Sequence, residues 1–267
     1  MEKDGHIHTT FCPHGTKDTL EGYVERAISL GFQEISFTEH APLPKGFTDA
    51  APTKDSSMKL EELELYFEEV ARVKSIYLGQ IRINTGLEVD FIEGFEHETT
   101  SFLNTYGKFL DDAILSVHFL RYGSDYDCLD YSPEVFNQMI KKYGSSEKIY
   151  ECYFKTLLLS IHSDLGPFKP KRIGHMTLVK KFQKKFPIER DFTDLIQEVL
   201  DAIRNKGYEL DYNGAGVSKP LCREPYPPDW VVMEAIKRGI PLVYGSDSHQ
   251  IKDLGQGLDL MRFMKEV

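Results

Sequence analysis

Short strand-like runs and longer helix-like runs alternate from one end of this 267-residue chain to the other. That alternation admits few folds, because strand–helix–strand units in series build a mostly parallel sheet covered by helices. Strands are expected over Lys3–His8, Glu34–Thr38, Arg82–Val89, Asp112–Val117, Arg172–His175, Glu209–Asp211 and Leu242–Gly245. Helical periodicity runs through Leu20–Leu30, Leu60–Tyr77, Lys148–His162, Phe192–Asn205 and Trp230–Lys237. Gly31, Gly207 and Gly239 stand just past three of these helices, where a left-handed cap is wanted. A single α/β barrel commonly reaches this length, so residues 1–267 are expected to form one domain. Residues 41–57, rich in Pro, Lys and Asp, have no clear period. A loop of that length in a compact domain usually serves function, and a lid-like role is expected for it.

The histidines follow the strands. His6 and His8 end the first, Glu39 and His40 follow the second, and Glu88 ends the third. His118, His175, and Asp247 with His249 follow the fourth, fifth and seventh. All lie at carboxyl ends, which share one face in a parallel barrel, the face where barrel enzymes build their sites. His6 and His8 at i and i+2 can turn two imidazoles to one side of a strand. The segment YGSDSH (244–249) repeats the spacing with Asp247 and His249, a pairing suited to Zn, Mn or Fe. Glu88 sits between apolar Leu87 and Val89, as a ligand or a salt-bridge partner does. Asp4, on the face expected for His6, is a candidate to orient an imidazole. His97 reads as a solvent-facing helix residue and His162 as a helix C-terminal histidine favoured by the dipole.

Composition narrows the partners. A net charge of −10 disfavours a polyanion-binding surface, and the lysines at 180, 181, 184 and 185 read as a solvated helix end. A divalent-cation site would invert the field locally and admit a small anion. Cys12, Cys128, Cys152 and Cys222 show no C-x-x-C spacing, and they read as reduced cytoplasmic thiols. A strand expected within three residues of the start leaves no room for a signal segment, and no apolar run approaches a membrane span. No nucleic-acid or membrane partner is expected, and nothing in the sequence sets the oligomeric state.

DGHIHTTFCPHG (4–15), FTEH (37–40), GLEVD (86–90), SVHFL (116–120), IGHMTLVKKF (173–182) and GSDSH (245–249) resemble the ordered motifs of the PHP (polymerase and histidinol phosphatase) superfamily. The CPHG loop, the IGHMTLVKKF segment and EPYP at 224–227 look most like its stand-alone L-histidinol-phosphate phosphatases. The resemblance implies a distorted (β/α)7 TIM-like barrel with up to three divalent ions (Zn, Fe or Mn) at the carboxyl ends of the strands. It implies that His6, His8, Glu88 and Asp247 hold one ion, that Glu88 bridges to a second bound by His118 and His175, and that His14, His40 and His249 hold a third. Asp247 and His249 are the catalytic candidates. The implied reaction is hydrolysis of a small phosphate monoester by a metal-bridging hydroxide attacking phosphorus in line. Lys219 and Arg223, after the sixth strand, are candidates to clamp the phosphate, and Glu224 to pair with an ammonium or with Arg223. A nuclease or phosphodiesterase of the same superfamily, and a non-catalytic metal-binding protein, are the rival readings. Acidity without a basic-aromatic track weighs against the first, and mixed His and carboxylate donors against the second.

Overall fold

The computed structural model describes residues 2–263. Its strands are β1 (Lys3–Ile7), β2 (Glu34–His40), β3 (Arg82–Asp90), β4 (Asp112–Ser116), β5 (Phe119–Tyr122), β6 (Asp125–Cys128), β7 (Arg172–Ile173), β8 (Glu209–Asn213) and β9 (Leu242–Gly245). Seven of them form one sheet in the order β1-β2-β3-β4-β7-β8-β9, with every pairing parallel. The sheet curls until its edges meet at the carboxyl end, where Asp247 N donates to His6 O at 2.7 Å and His8 N to Ser248 O at 3.0 Å. The result is a distorted, TIM-like (β/α)7 barrel. Among the described residues no helix is long and apolar enough to cross a membrane.

Around the sheet lie α1 (Leu20–Ser29), α2 (Leu63–Ile76), α3 (Glu96–Tyr106), α4 (Pro133–Tyr143), α5 (Ser146–His162), α6 (Thr193–Lys206), the short α7 (Ala215–Ser218) and α8 (Asp229–Lys237). Helix α1 begins where the Thr19 side chain accepts from Gly22 N, and α6 ends on Gly207 at φ 65°, conformations that Thr and Gly respectively favour. Four features go beyond the periodicity reading: α3, α4, the short α7, and the β5–β6 hairpin, which is turned by Gly123 and Ser124. His97 is exposed on α3 and His162 ends α5, both as expected. Strand β7 has only two residues, so His175 sits on the loop beyond it.

The lower half of the barrel interior is polar. Arg172, 2% exposed, pairs with Asp112 at 2.9 Å and donates to Gly5 O at 2.9 Å. Lys3 reaches Asp112 at 2.9 Å and Glu34 at 3.1 Å. Above this plug β1 bulges: Asp4 pairs with Ile35 and Ile7 with Phe37, three steps on β1 against two on β2. The extra residue breaks the alternation of faces. Gly5 therefore faces Arg172 while His6 and His8 also turn inward.

A second apolar cluster (Ala51, Ile92, Phe119, Cys128) lies apart from the main core. Phe47 plugs into it, with ring centroids 5.0–5.3 Å from those of Phe95, Phe119 and Tyr126. That anchors residues 41–57 against the hairpin as one wall of the barrel mouth.

A Cβ on Gly5 would lie 2.6 Å from both Arg172 Nη1 and Val243 Cγ1, and both neighbours are confined. Gly5→Ala is expected to cost about 1–3 kcal/mol through overpacking, read as a lower urea midpoint with unchanged slope. An unchanged midpoint would contradict the packing described.

Candidate metal centre and active site

Seven histidines meet at the barrel mouth: His6 and His8 from the end of β1, His14 from the loop after it, and His40, His118, His175 and His249 from the ends of, or loops after, β2, β4, β7 and β9. Glu88 is their common neighbour. It is 2% exposed, and its Oε2 lies 3.4 Å from His6 Nε2, 3.5 Å from His8 Nε2 and 3.1 Å from His40 Nδ1. Its Oε1 accepts from Ser116 Oγ at 2.6 Å, and stands 2.8 Å from His175 Nε2 and 3.8 Å from His118 Nε2. Asp247 Oδ1 lies 3.2 Å from His8 Nε2 and 3.8 Å from His6 Nε2. The His249 ring stacks on His8 at 4.0 Å between centroids, and His14 lies 5.2 Å from His40 and 5.0 Å from His249.

The donors fall into compact groups. His6, His8 and Asp247 form one and Glu88, His118 and His175 another, each with donor atoms within 4.8 Å of one another; a third contains His8, His40 and His249 with Cys12. Buried His6 Nε2, His8 Nε2, His40 Nδ1, His175 Nδ1 and Glu88 Oε2 make no hydrogen bond in the protein. Unmatched donors buried together are costly unless something charged completes them. The set of imidazole and carboxylate fits divalent Zn, Fe or Mn.

Outer partners hold most of the rings in place. Asp211 Oδ2 lies 2.9 Å from His6 Nδ1, Glu39 Oε1 3.2 Å from His8 Nδ1, and Asp90 Oδ1 2.7 Å from His118 Nδ1. Backbone carbonyls do the same for His14 (Asp55 O, 2.8 Å) and His249 (Asp247 O, 3.1 Å). Each leaves Nε2 free toward the centre, as metal-binding histidines require. Glu39 and Asp90 fall within the FTEH and GLEVD motifs and Asp211 at the end of a strand, but nothing in the sequence marks any of the three as a ring partner. Asp4 takes a different role from the one expected: buried, it accepts from the backbone N–H groups of His6 (3.2 Å) and Ser246 (2.9 Å), not from a ring.

Charge is finely opposed here. Burial pushes Glu88 upward, but His6, His118 and His40 outweigh it and hold the carboxyl well below its usual range. Burial likewise raises Asp247, and His6 and His8 more than reverse that. For His8 burial lowers the pKa, yet Asp247 and Glu39 lift it to about 9; Asp90 and Glu88 lift His118 against burial to about 10. Burial, then the charge of His8, leaves His249 well below the normal imidazole value.

A cavity of about 440 Å³ opens above the centre, its wall including His14, His40, Asp55, Asp130, Lys181, Lys219, Asp247, His249 and Asp253. Lys181 was expected in solvent but is largely buried. It pairs with Asp130 at 2.8 Å, because the turn after His175 folds back over the mouth as a 3-10 helix, Leu178–Phe182. Lys219 lines the cavity as expected. Arg223 and Glu224 do not line it: Arg223 is exposed at φ 67°, and Glu224 pairs with Lys180.

A PHP domain model matches residues 4–215, and the chain belongs to that family. The histidinol-phosphatase of Bacillus subtilis (strain 168) is 51% identical over 257 residues, 96% of each chain. A solved structure from Listeria monocytogenes, described as a candidate histidinol phosphatase, is 41% identical with a TM-score of 0.91, covering 96% of this chain and 98% of that one. Histidinol phosphate phosphatase from Lactococcus lactis subsp. lactis, solved with zinc, L-histidinol and phosphate, shares the fold at a TM-score of 0.69 and 20% identity, covering 97% and 92%.

With their pKa values raised to about 9 and about 10, His8 and His118 are expected to carry protons at pH 7 in the metal-free protein, and an ion bound there would displace them. Titrating chelator-stripped protein with Zn²⁺ in weak buffer is expected to release protons, seen in a pH-stat or as buffer-dependent calorimetric heats. Zinc uptake without proton release would contradict these assignments.

Proposed function

We propose that this chain is a single-domain, metal-dependent phosphomonoesterase that hydrolyses L-histidinol phosphate to L-histidinol and phosphate, a step of histidine biosynthesis. The observation that carries the reading is the 51% identity to a histidinol-phosphatase across 96% of both chains. The cofactors are up to three divalent transition-metal ions. In this reading His6, His8, Glu88 and Asp247 hold one, Glu88 with His118 and His175 a second, and His14, His40 and His249 contribute to a third. Bound, such ions neutralise phosphoryl oxygens and make water acidic enough to attack near neutrality.

The protein's own groups supply position and proton handling. Glu39, Asp90 and Asp211 fix ring tautomers. Lys181, held by Asp130, is a cation on the cavity wall beside the centre and takes a phosphoryl oxygen, with Lys219 further out; this replaces the expected Arg223. Asp247, kept ionised by His6 and His8, can take the proton of the attacking water and return it to the leaving alkoxide, with His249 beside it. Asp55 and Asp253 are carboxylates on the wall that, among the described residues, pair with no cationic side chain, and they suit the substrate ammonium better than the engaged Glu224. Residues 41–57 shield the bound substrate from water. A small phosphate ester, rather than nucleic acid or membrane, matches a cavity of about 440 Å³ in a chain of charge −10. Unpaired cysteines suit the cytoplasm.

Steady-state kinetics should give a kcat/KM for L-histidinol phosphate on the order of 10²-fold or more above that for an aryl phosphate, since a buried amine contact is worth a few kcal/mol. A dinucleotide as best substrate would overturn the reading in favour of a phosphodiesterase. Glu88→Gln should lose more activity and more metal than His249→Asn, because only Glu88 serves two ions; equal losses would contradict the bridge. Lys181→Met should lower kcat/KM about 10- to 100-fold at unchanged metal content, the worth of one charged hydrogen bond. A rate within twofold of the parent would remove Lys181 from phosphate binding.

A further inference from the structure

Cys12 is fully buried, yet it belongs to neither apolar core. A buried cysteine usually fills space among hydrophobic side chains. This one sits instead in the loop after β1, between His8 and His14. Its sulfur and one ring nitrogen each from His8, His40 and His249 lie within 4.8 Å of one another. Of these, His40 carries a buried ring nitrogen with no hydrogen bond in the protein, whereas the free Nε2 of His8 belongs to the first ion's group. The loop closes tightly beside the sulfur, with Gly15 N donating to Cys12 O at 3.2 Å, while burial and then Glu39 push the free thiol up. Gly15 makes this possible: a Cβ there would already lie 3.1 Å from Cys12 Cβ and 3.5 Å from its sulfur.

We propose that Cys12 is a thiolate ligand of the ion held by His40 and His249. The inference rests on the reading of this mouth as a metal centre and extends it to a donor of a different chemical kind. Coordination breaks the S–H bond, the electron pair stays on sulfur to form the metal bond, and the proton leaves to solvent. One soft donor biases this ion toward Zn, Co or Fe over Mn or Mg, whereas the two groups built from imidazole and carboxylate alone remain open to harder cations. It also makes the thiol unreactive while the ion is bound and oxidisable once it is stripped.

X-ray absorption at the zinc edge of the fully loaded parent protein tests this without mutation. The fit is expected to need a sulfur scatterer at about 2.3 Å beside nitrogen and oxygen at about 2.0–2.1 Å. The Co²⁺-loaded protein should show a sulfur-to-cobalt charge-transfer band, retained in Cys128→Ser, whose thiol also lines the cavity, and lost in Cys12→Ser and Cys12→Ala. In those two variants one ion should become removable by chelator at a concentration that leaves the parent loaded. A loaded parent with only nitrogen and oxygen scatterers overturns the proposal, as does a band that survives in Cys12→Ser. Failure of the parent to take up zinc or cobalt at all would instead overturn the metal-centre reading beneath it.

Discussion

A carboxylate almost sealed from solvent among five imidazoles is the constraint around which this molecule is arranged. Glu88 has His6, His8, His40, His118 and His175 within 3.8 Å of its oxygens. Burying an ionised carboxyl is severely unfavourable unless positive charge and hydrogen bonds complete it. Ser116 completes one oxygen, and Oε2 is left to the converging nitrogens. Without an ion, protons on the histidines balance the charge; with ions, those protons must go. In the proposed reading the same positions bind either protons or metal, and the outer carboxylates Asp211, Glu39 and Asp90 hold the rings in place for that exchange.

The barrel makes that convergence possible by local irregularity more than by symmetry. The bulge in β1 puts Gly5 and His6 on the same side, so one strand serves both the Arg172 plug and the metal centre. Closure between β1 and β9 comes through the two hydrogen bonds at the site itself, which ties the positions of His6, His8 and Asp247 together. Asp247 adopts φ 51°, a conformation few non-glycine residues accept, and such strain persists where surrounding contacts over-determine it. Here those contacts are the backbone bond to His6 and the side-chain bond from Asn213 at 3.1 Å.

Much of this was legible in the sequence, and what was not has identifiable causes. Strand positions and the gathering of histidines at carboxyl ends follow from alternation, because a parallel barrel turns a one-dimensional spacing into a shared face. The bulge did not, since the i, i+2 rule for His6 and His8 holds whether or not Gly5 breaks the alternation; the rule wrongly put Asp4 among the ring partners. Helix α4 was readable from Ser132-Pro133 at its start and Gly144 at its end, whereas α3, rich in Thr and Ser, has a weak apolar stripe. The hairpin hid behind the expectation that a helix follows each strand. Lys181 looked solvated because four lysines within six residues resemble a helix end; only the fold-back after His175 brings it to Asp130. Arg223 and Glu224 follow the right strand but turn away from the cavity, an outcome of loop geometry that spacing does not encode.

The central claim is that Glu88 bridges two ions at a centre assembled from separate strand ends. Anomalous diffraction at the edge of the metal found in the purified protein tests it most directly. Two peaks flanking the Glu88 carboxylate, one among His6, His8 and Asp247 and the other between His118 and His175, are the result this account predicts. A single peak bound on one side of Glu88 in fully loaded, active protein, or no peak within bonding distance of it, would contradict the account.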